Sequence, residues 1–354
     1  MDVRRNRKGS AGWATAVLLA AMIGVVLALP DPVRALTPAR QQSAPRAVSA
    51  PTVFGLSANG EQAVRDAEQV LQLQAGVLGV FTDFTQAFPA AEASNAAARG
   101  AVLLISWEPQ VMGAGQNQPQ YRLDRITAGA FDPYVRRFAR DAAATGRPVF
   151  VRFAAEMNGD WQVWSTGANG NEAGDYRRAY RHVVDVARRA GGTNIRWIFN
   201  PIVSYRGSEP LNGLYPGDRY ADWVALDGYN WGSTRPWGWQ SFTDVFAVGL
   251  AELRAVAPTK PLAIAEIGCA PGSGKADWVR DALSRARQAG ARMVVWFEHN
   301  KEADWRLTSD PAVAEAARQV LSQPGWVTGG SYRAVRNALR GLSPRGTASK
   351  SPRR

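Results

Sequence analysis

Residues 148–161 read PVFVRFAAEMNGDW, a mostly apolar run of strand length followed directly by acidic, amide and aromatic side chains. A strand exposed on one face alternates apolar and polar residues, whereas a parallel strand buried on both faces is apolar throughout. The continuous run at 148–153 therefore predicts a buried parallel strand. The run is followed by Glu156, Asn158 and Trp161. They stand at the carboxyl end of the predicted strand, where the parallel strands of an α/β protein carry their functional side chains.

Seven further runs of this kind occur along the chain, at 53–56, 77–82, 101–107, 195–199, 223–227, 262–267 and 293–297. Amphipathic segments with helical spacing lie between and after them, at 61–73, 133–145, 175–190, 242–257, 275–289 and 310–322. Eight strands that alternate with helices over about 275 residues predict a single (β/α)8 TIM barrel, an α/β fold that usually needs about 250 residues. A doubly wound sheet is the second possibility, but no glycine fingerprint follows the first strand.

The N-terminal segment 1–35 differs from the rest of the chain. Four basic residues stand between positions 4 and 8, and the apolar run 13–29 follows them. This order is typical of an export signal, either cleaved or kept as a membrane anchor, because a full membrane span needs roughly twenty apolar residues. We therefore expect the protein to be extracellular, either secreted or anchored to the outer face of the cell membrane.

The remaining segments complete the predicted domain organisation. Residues 36–50, rich in Pro, Ser, Ala and Gln, are predicted to be a linker. Residues 51–326 are predicted to form the barrel, and residues 327–354 a basic C-terminal tail. We expect one catalytic domain that acts as a monomer, with a possible membrane tether through the N-terminal segment.

The formal net charge of +12 is concentrated at the two ends. Residues 1–35 carry +3 and residues 341–354 carry +4, which leaves +5 between them. With neither zinc-finger spacing nor a Walker loop, we expect no nucleic-acid partner. Two histidines and the single Cys269 exclude an intrachain disulfide and give few ligands for a transition metal, so we predict no metal and no cofactor. A structural calcium ion in an acidic loop stays an open alternative.

Polar and aromatic side chains concentrate where the predicted strands end. They are Trp107 and Glu108, Glu156, Trp161 and Trp164, Asp227, Tyr229 and Trp231, Glu266, and Trp296, Glu298 and His299. In a TIM barrel these strand ends form one rim and carry the active site. Indoles stack on pyranose faces, and sugar hydroxyls need carboxylate and amide partners, so the rim predicts sugar recognition.

Glu156 and Glu266 fit the demands of glycoside hydrolysis. A retaining enzyme needs one carboxylic acid to protonate the leaving oxygen and a second carboxylate, about 5–5.5 Å away, as nucleophile. Glu266 stands within the apolar sequence AIAEI at 263–267, where a carboxylate is costly to bury unless it is paired or used. The alternative for either glutamate is a salt bridge at the rim.

The sequence RFAAEMNGDW at 152–161, together with Trp164, resembles the fourth-strand signature of glycoside hydrolase family 26. This family contains endo-β-mannanases and related β-glycanases. Further segments similar to its rim are WEP at 107–109, DGYNWG at 227–232 and AEIG at 265–268. The resemblance extends over about residues 52–325.

The resemblance implies a role for each matching residue. Glu156 is expected to be the acid/base and Glu266 the nucleophile. Tyr229 is expected to hydrogen-bond the nucleophile, and Trp296 to form the floor under the sugar at the cleavage point. The other rim aromatics, Trp107, Trp161, Trp164 and Trp231, are expected to bind substrate.

One position departs from the family pattern. Mannanases of family 26 commonly have histidine directly before the acid/base, whereas this chain has Ala155. The reaction class is unaffected, and the family favours an endo-β-1,4-mannanase that cleaves a β-linked polysaccharide by double displacement. The alternatives are a β-glucanase or xylanase, a hydrolase that trims the producing cell's own exopolysaccharide, and a non-catalytic carbohydrate-binding barrel. The presence of both glutamates argues against the last.

Other polar residues have two interpretations each. Glu108 contacts sugar or pairs with an arginine at the rim, and Asp227 is either a third carboxylate of the site or a loop-fixing acceptor. Glu298 and His299 are further candidates for substrate contact. His182 lies within a helical segment and is predicted to be structural, and Cys269 is predicted to be buried and inert.

Overall fold

A computed structural model describes residues 50–340, so the predicted export segment, most of the predicted linker and residues 341–354 lie outside the described residues. Eight parallel strands form the barrel: β1 (Thr52–Ser57), β2 (Val77–Asp83), β3 (Val102–Glu108), β4 (Val149–Phe153), β5 (Ile195–Phe199), β6 (Trp223–Asn230), β7 (Leu262–Cys269) and β8 (Ala291–Phe297). Neighbouring strands follow chain order, and β1 pairs with both β2 and β8, which closes the sheet. The predicted (β/α)8 barrel is confirmed.

Helices surround the strands. They are α1 (Gly60–Leu71), α2 (Ala90–Ala98), α3 (Leu123–Thr127), α4 (Asp132–Ala144), α5 (Asp175–Arg189), α6 (Leu211–Leu214), α7 (Phe242–Val256), α8 (Lys275–Gln288) and α9 (Pro311–Leu321). The six helices predicted from amphipathic spacing correspond to α1, α4, α5, α7, α8 and α9. Helix α2, which buries only Ala96, and the short helices α3 and α6 carry no comparable amphipathic pattern in the sequence. Between residues 50 and 340, no helix has the length and apolar character needed to cross a membrane.

Successive strand residues alternate between two apolar layers. One layer fills the barrel, and on β3 and β4 it contains Val102, Leu104 and Phe150. The other layer lies between strands and helices and contains their neighbours on the same strands. Because successive side chains point to opposite faces of a strand, only every second side chain of each strand faces the barrel interior and its mouth.

The segment after α9 continues the fold. Strand β9 (Trp326–Val327) pairs with β1, and α10 (Tyr332–Leu339) follows it. Val335, Ala338 and Leu339 of α10 join the layer that fills the barrel. The predicted tail at 327–354 therefore begins too early. The apolar residues of α10 are few and stand among arginines, so the segment resembles a basic tail in the sequence.

Strand β7 contains an irregularity beside the rim. Leu226 pairs with Ile264, but Asp227 pairs with Glu266, so Ala265 is an extra residue on β7. Because of this extra residue, the side chains that follow it face the side opposite to the one that a regular alternation would give them. Glu266 consequently lies beside Asp227, on the side of the sheet that faces the barrel axis.

Candidate active site at the carboxyl end of the barrel

Three carboxylates from three different strands converge at the rim. Glu156 follows β4, Asp227 belongs to β6 and Glu266 to β7. One oxygen from each lies within 4.8 Å of the other two. Three negative charges this close repel one another strongly where water is scarce, so a cation or a proton must accompany them.

Arg152 supplies the positive charge. It lies on β4, and its Nη1 donates to Asp227 Oδ2 at 2.6 Å while Nη2 donates to Glu266 Oε1. Its Nε donates to Ser106 Oγ at 2.6 Å. Burial alone would lower the pKa of Arg152, but the two carboxylates outweigh burial and raise it. A metal ion between Asp227 and Glu266 would have to compete with this guanidinium.

Arg152 is a site residue to which the rim motifs assign no function. The available signal was an arginine at the centre of an apolar strand, a position that is costly unless the charge is paired.

Glu266 has a donor on each oxygen. Arg152 binds Oε1, and Tyr229 Oη donates to Oε2, which is the hydrogen bond that the family resemblance implies. Glu266 retains a small exposed fraction of 6%, whereas Asp227 is completely buried.

Glu156 stands on a strained turn. Ala154 and Glu156 have φ angles of 49° and 57°, in the left-handed region that costs a residue with a Cβ of order 1–3 kcal/mol. The Glu156 amide donates to the Asn200 carbonyl at 2.8 Å, which ties the turn to the neighbouring strand end. The turn directs the Glu156 carboxylate toward Glu266 and not along β4.

The environment of Glu156 favours its protonated form. Burial raises the pKa of Glu156 to about 7, with the negative charge of Glu266 as the next cause. Arg152 acts in the opposite direction, as do hydrogen bonds that Oε2 accepts from Trp161 Nε1 at 3.1 Å and from Gln162 Nε2 at 3.3 Å. Glu156 is therefore a carboxyl group that exchanges a proton near neutral pH, as a general acid/base must.

Residues 132–304 match the family model described as Glycosyl hydrolase family 26. The chain carries a family 26 domain. The resemblance drawn from the rim motifs is thereby confirmed.

Named relatives differ in their substrates. Endoglucanase H of Acetivibrio thermocellus is 38% identical over 250 residues, which are 68% of this chain and 26% of that protein. Mannan endo-1,4-beta-mannosidase A and B of Caldalkalibacillus mannanilyticus is 30% identical over 179 residues, which are 47% of this chain and 32% of the relative. The chain thus spans about a third or less of these relatives. The solved GH26 beta-mannanase of Bacteroides ovatus superimposes with a TM-score of 0.63 at 16% identity, covering 81% of this chain and 92% of that one, a likeness of fold.

The six aromatic residues predicted to bind substrate divide into two groups. Trp161, Tyr229 and Trp231 lie at the mouth of the family 26 site and are exposed or half-buried. Trp161 contacts Glu156, and Tyr229 contacts Glu266. The ring of Trp231 lies next to Trp305, with centroids 4.8 Å apart, and is covered by the Arg235 guanidinium at 4.4 Å.

Trp107, Trp164 and Trp296 are buried, so their predicted contact with substrate is wrong. Each indole N–H already donates a hydrogen bond within the protein. That of Trp107 donates to Tyr134 Oη at 2.9 Å, that of Trp164 to the Ala155 carbonyl at 2.8 Å, and that of Trp296 to the Trp305 carbonyl at 2.9 Å. Trp107 and Trp296 occupy strand positions that face the helices, where Trp107 stacks on Phe138 with centroids 4.0 Å apart. Trp296 therefore does not form the floor of the site.

The hydrogen-bond partners of Glu298 and Asp227 show what each carboxylate does in the structure. Glu298 accepts hydrogen bonds from the amides of Leu307 and Thr308 at 2.8 and 3.2 Å, so its carboxylate fixes a loop. Asp227 belongs to the site through Arg152, and burial raises its pKa. Its backbone pairs with residues 201 and 203, whereas its carboxylate is bound by Arg152 beside Glu156 and Glu266, so the interpretation as a third carboxylate of the site describes its side chain.

The remaining candidates lie near the site or apart from it. Glu108 accepts from Gln110 Nε2 at 2.7 Å, and burial raises its pKa. His299 stacks on Phe297 with centroids 4.1 Å apart. His182 contacts Asp132 at 2.7 Å, away from the rim. Cys269 is buried, and burial raises its pKa to about 12, which is characteristic of an unreactive thiol.

We predict that the pKa of Glu156 responds in opposite directions to two substitutions. Gln162→Leu removes a hydrogen bond to the charged form and should raise the pKa above about 7, whereas Glu266→Gln removes a neighbouring negative charge and should lower it. Carboxyl carbon NMR titration of the labelled protein measures both shifts. In the control Gln116→Leu, the lost bonds reach only the backbone carbonyls of residues 160 and 162, so the pKa should not move. Shifts of the same sign in both variants would contradict this assignment.

Proposed function

We propose that this protein is a retaining endo-β-glycanase with Glu156 as acid/base and Glu266 as nucleophile. The observation that carries the proposal is the approach of their carboxylate oxygens to within 4.8 Å. Retaining glycosidases separate these groups by about 5–5.5 Å, whereas inverting enzymes need roughly 6.5–9.5 Å to admit a water molecule. Asp227 is completely buried and therefore a poor candidate for attack on a sugar.

The reaction follows as a double displacement. Glu266 attacks the anomeric carbon while Glu156 gives its proton to the glycosidic oxygen, and the bond to the leaving sugar breaks. Water then attacks the same carbon and loses a proton to Glu156, which breaks the ester and restores the Glu266 carboxylate. The two inversions together retain the β configuration.

The coupling between the two glutamates supports the change of role. The charge of Glu266 is one of the causes that raise the pKa of Glu156. Once Glu266 is esterified, that charge is gone, so the pKa of Glu156 falls and the carboxylate becomes the stable form. Glu156 is thus an acid in the first step and a base in the second.

We propose a β-glucan as the substrate, ahead of the β-mannan that family membership alone favours. Endoglucanase H matches more of this chain, at higher identity, than the mannan endo-1,4-beta-mannosidase does. Ala155 also lacks the imidazole that mannanases commonly have before the acid/base. β-Mannan is the second candidate, supported by the mannan-cleaving relative and the solved mannanase.

A panel of polysaccharides tests the substrate. We expect the highest kcat/KM on a soluble β-glucan, with β-mannan at least tenfold lower and β-xylans lower still. Ala155→His should move the ratio of kcat/KM toward mannan. A wild-type preference for mannan would overturn the glucan assignment, and failure to cleave any member of the panel would favour the non-catalytic barrel.

Trapping and product analysis test the mechanism. A 2-fluoro glycoside should label Glu266, and NMR should detect the β anomer as the first product. Glu266→Ala should lose activity by several orders of magnitude and Glu298→Ala far less. Glu156→Ala should spare aryl glycosides with good leaving groups more than polymers, and azide should rescue it with formation of a β-glycosyl azide. An α first product, or a label on Asp227, would contradict the mechanism.

We further infer that the barrel acts outside the cytoplasm, as a monomer that is free or tethered. The support is the basic and apolar order of residues 1–35. An alkaline phosphatase fused after Ala35 should be active, because that reporter folds only after export. A matched fusion in which Arg4, Arg5, Arg7 and Lys8 are replaced by glutamate should lose activity. An inactive native fusion, present intact in the cytoplasm, would overturn the inference.

A further inference from the structure

Large aromatic side chains are exposed only at one face of the described residues. Those exposed by more than a third are Trp161, Tyr205, Trp237 and Trp239. They follow β4, β5 and β6, so all lie in loops at the carboxyl ends of strands, where the active site lies. Large exposed aromatic side chains that gather on one functional face indicate a binding surface.

Trp239 lies on a shelf of glycines. A Cβ atom added to Gly272 would lie 2.8 Å from Cζ3 of the Trp239 ring, one on Gly274 would lie 3.3 Å from Cζ2, and one on Gly232 would lie 3.3 Å from Cε3. The indole thus packs against bare backbone on one side, yet 44% of the residue is exposed. Its free side is a flat apolar surface open to solvent.

Trp161 has the same construction. The ring atoms Cη2, Cζ2 and Cζ3 of Trp161 lie 2.6 to 2.7 Å from the position of a Cβ on Gly159, so the ring lies flat over that glycine. Its exposed fraction is 43%, and its Nε1 donates to Glu156. The chain therefore builds a supported indole beside the acid/base and a second one, Trp239, on the loop that follows β6.

Buried hydrogen bonds fix the position of Trp239. The side-chain oxygen of Asn230 accepts from the amides of Gly232 and Gln240, each at 3.1 Å, and so closes the loop between them. Trp278 Nε1 donates to the Gln240 carbonyl at 2.8 Å. Asn230 directly follows Tyr229, which binds Glu266, so the loop is continuous with the catalytic strand end.

We infer that Trp239 is a sugar-stacking platform that holds a β-linked polysaccharide at a distance from the cleavage point. This inference rests on the proposed function and names a binding residue for it. A pyranose ring presents a face of C–H groups, which stacks on a flat, immobile indole with little loss of conformational freedom. Trp231, the aromatic of this region singled out from sequence, is instead covered by Arg235.

Kinetics on long and short substrates test the platform. Trp239→Ala should raise KM for the preferred polymer on the order of tenfold. A change of this size is expected when tens of Å2 of apolar surface are no longer buried between the indole and the sugar. The loss in kcat/KM should be at least fivefold larger on the polymer than on a short aryl β-glycoside, and Trp239→Phe should recover part of it. Val248→Ala is the control, because it removes a 59% exposed apolar side chain from helix α7, outside the loops at the carboxyl ends of the strands.

Gly272→Ala tests the shelf with Trp239 left in place. Gly272 has no positive φ, so alanine fits its backbone and the added methyl group meets only the indole. Gly272→Ala should weaken binding to the polymer, and the exposed neighbour Ser273→Ala should not. If Trp239→Ala fails to fold, this pair carries the test.

Binding is separable from hydrolysis. In the inactive Glu266→Ala background, electrophoresis through gels that contain the polymer should show retardation that Trp239→Ala and Gly272→Ala both reduce. An active enzyme in which neither substitution changes KM or retardation would overturn the platform alone. Absence of hydrolysis by the wild-type protein would instead overturn the proposed function. An equal loss in Val248→Ala would overturn the assignment to Trp239.

Discussion

The guanidinium of Arg152 lies between Asp227 and Glu266, and the rest of the site is built around this buried ion-pair network. Asp227 and Glu266 each have a direct hydrogen bond from the arginine, so their charges are compensated where they stand. Glu156 accepts no hydrogen bond from Arg152, and its carboxyl group is the one that exchanges a proton near neutral pH. Removal of one member of such a network costs about 3–5 kcal/mol, because the remaining charges stay buried without a partner.

The position of the arginine explains why the site is precise. Arg152 stands on β4 and not on a loop, with its Nε held by Ser106 of β3. Its geometry is therefore set by the strand register of the barrel. Glu156, four residues later, leaves the strand through left-handed backbone at Ala154 and at Glu156 itself, so backbone strain is stored where its carboxylate turns toward Glu266. The closed barrel provides the stability that maintains this strain.

The sequence predicts the strands well because burial on both faces leaves a continuous apolar run. It also identifies Glu156 and Glu266, since an acidic residue at the end of such a run is costly without a purpose. It does not identify which side of the sheet a residue faces, because a continuous apolar run carries no alternation. Trp107 and Trp296 were consequently predicted to be at the rim, although they face the helices. The same ambiguity hides Arg152, whose role depends on pointing into the barrel. Helix α10 is missed because its buried residues are few and stand among arginines.

The extra residue Ala265 in β7 has a further consequence for the evolution and engineering of this site. A regular strand with the same residues and no bulge would present Ala265 to Asp227 and turn the Glu266 side chain outward, among the helices. The number of residues in β7 is therefore as much a part of the site as their identity. Libraries built from point substitutions leave that number unchanged, so they cannot exchange this strand for a regular one. Any alignment of β7 with a barrel that lacks the bulge must contain a one-residue gap at this point, or it will equate Glu266 with a residue of the wrong face.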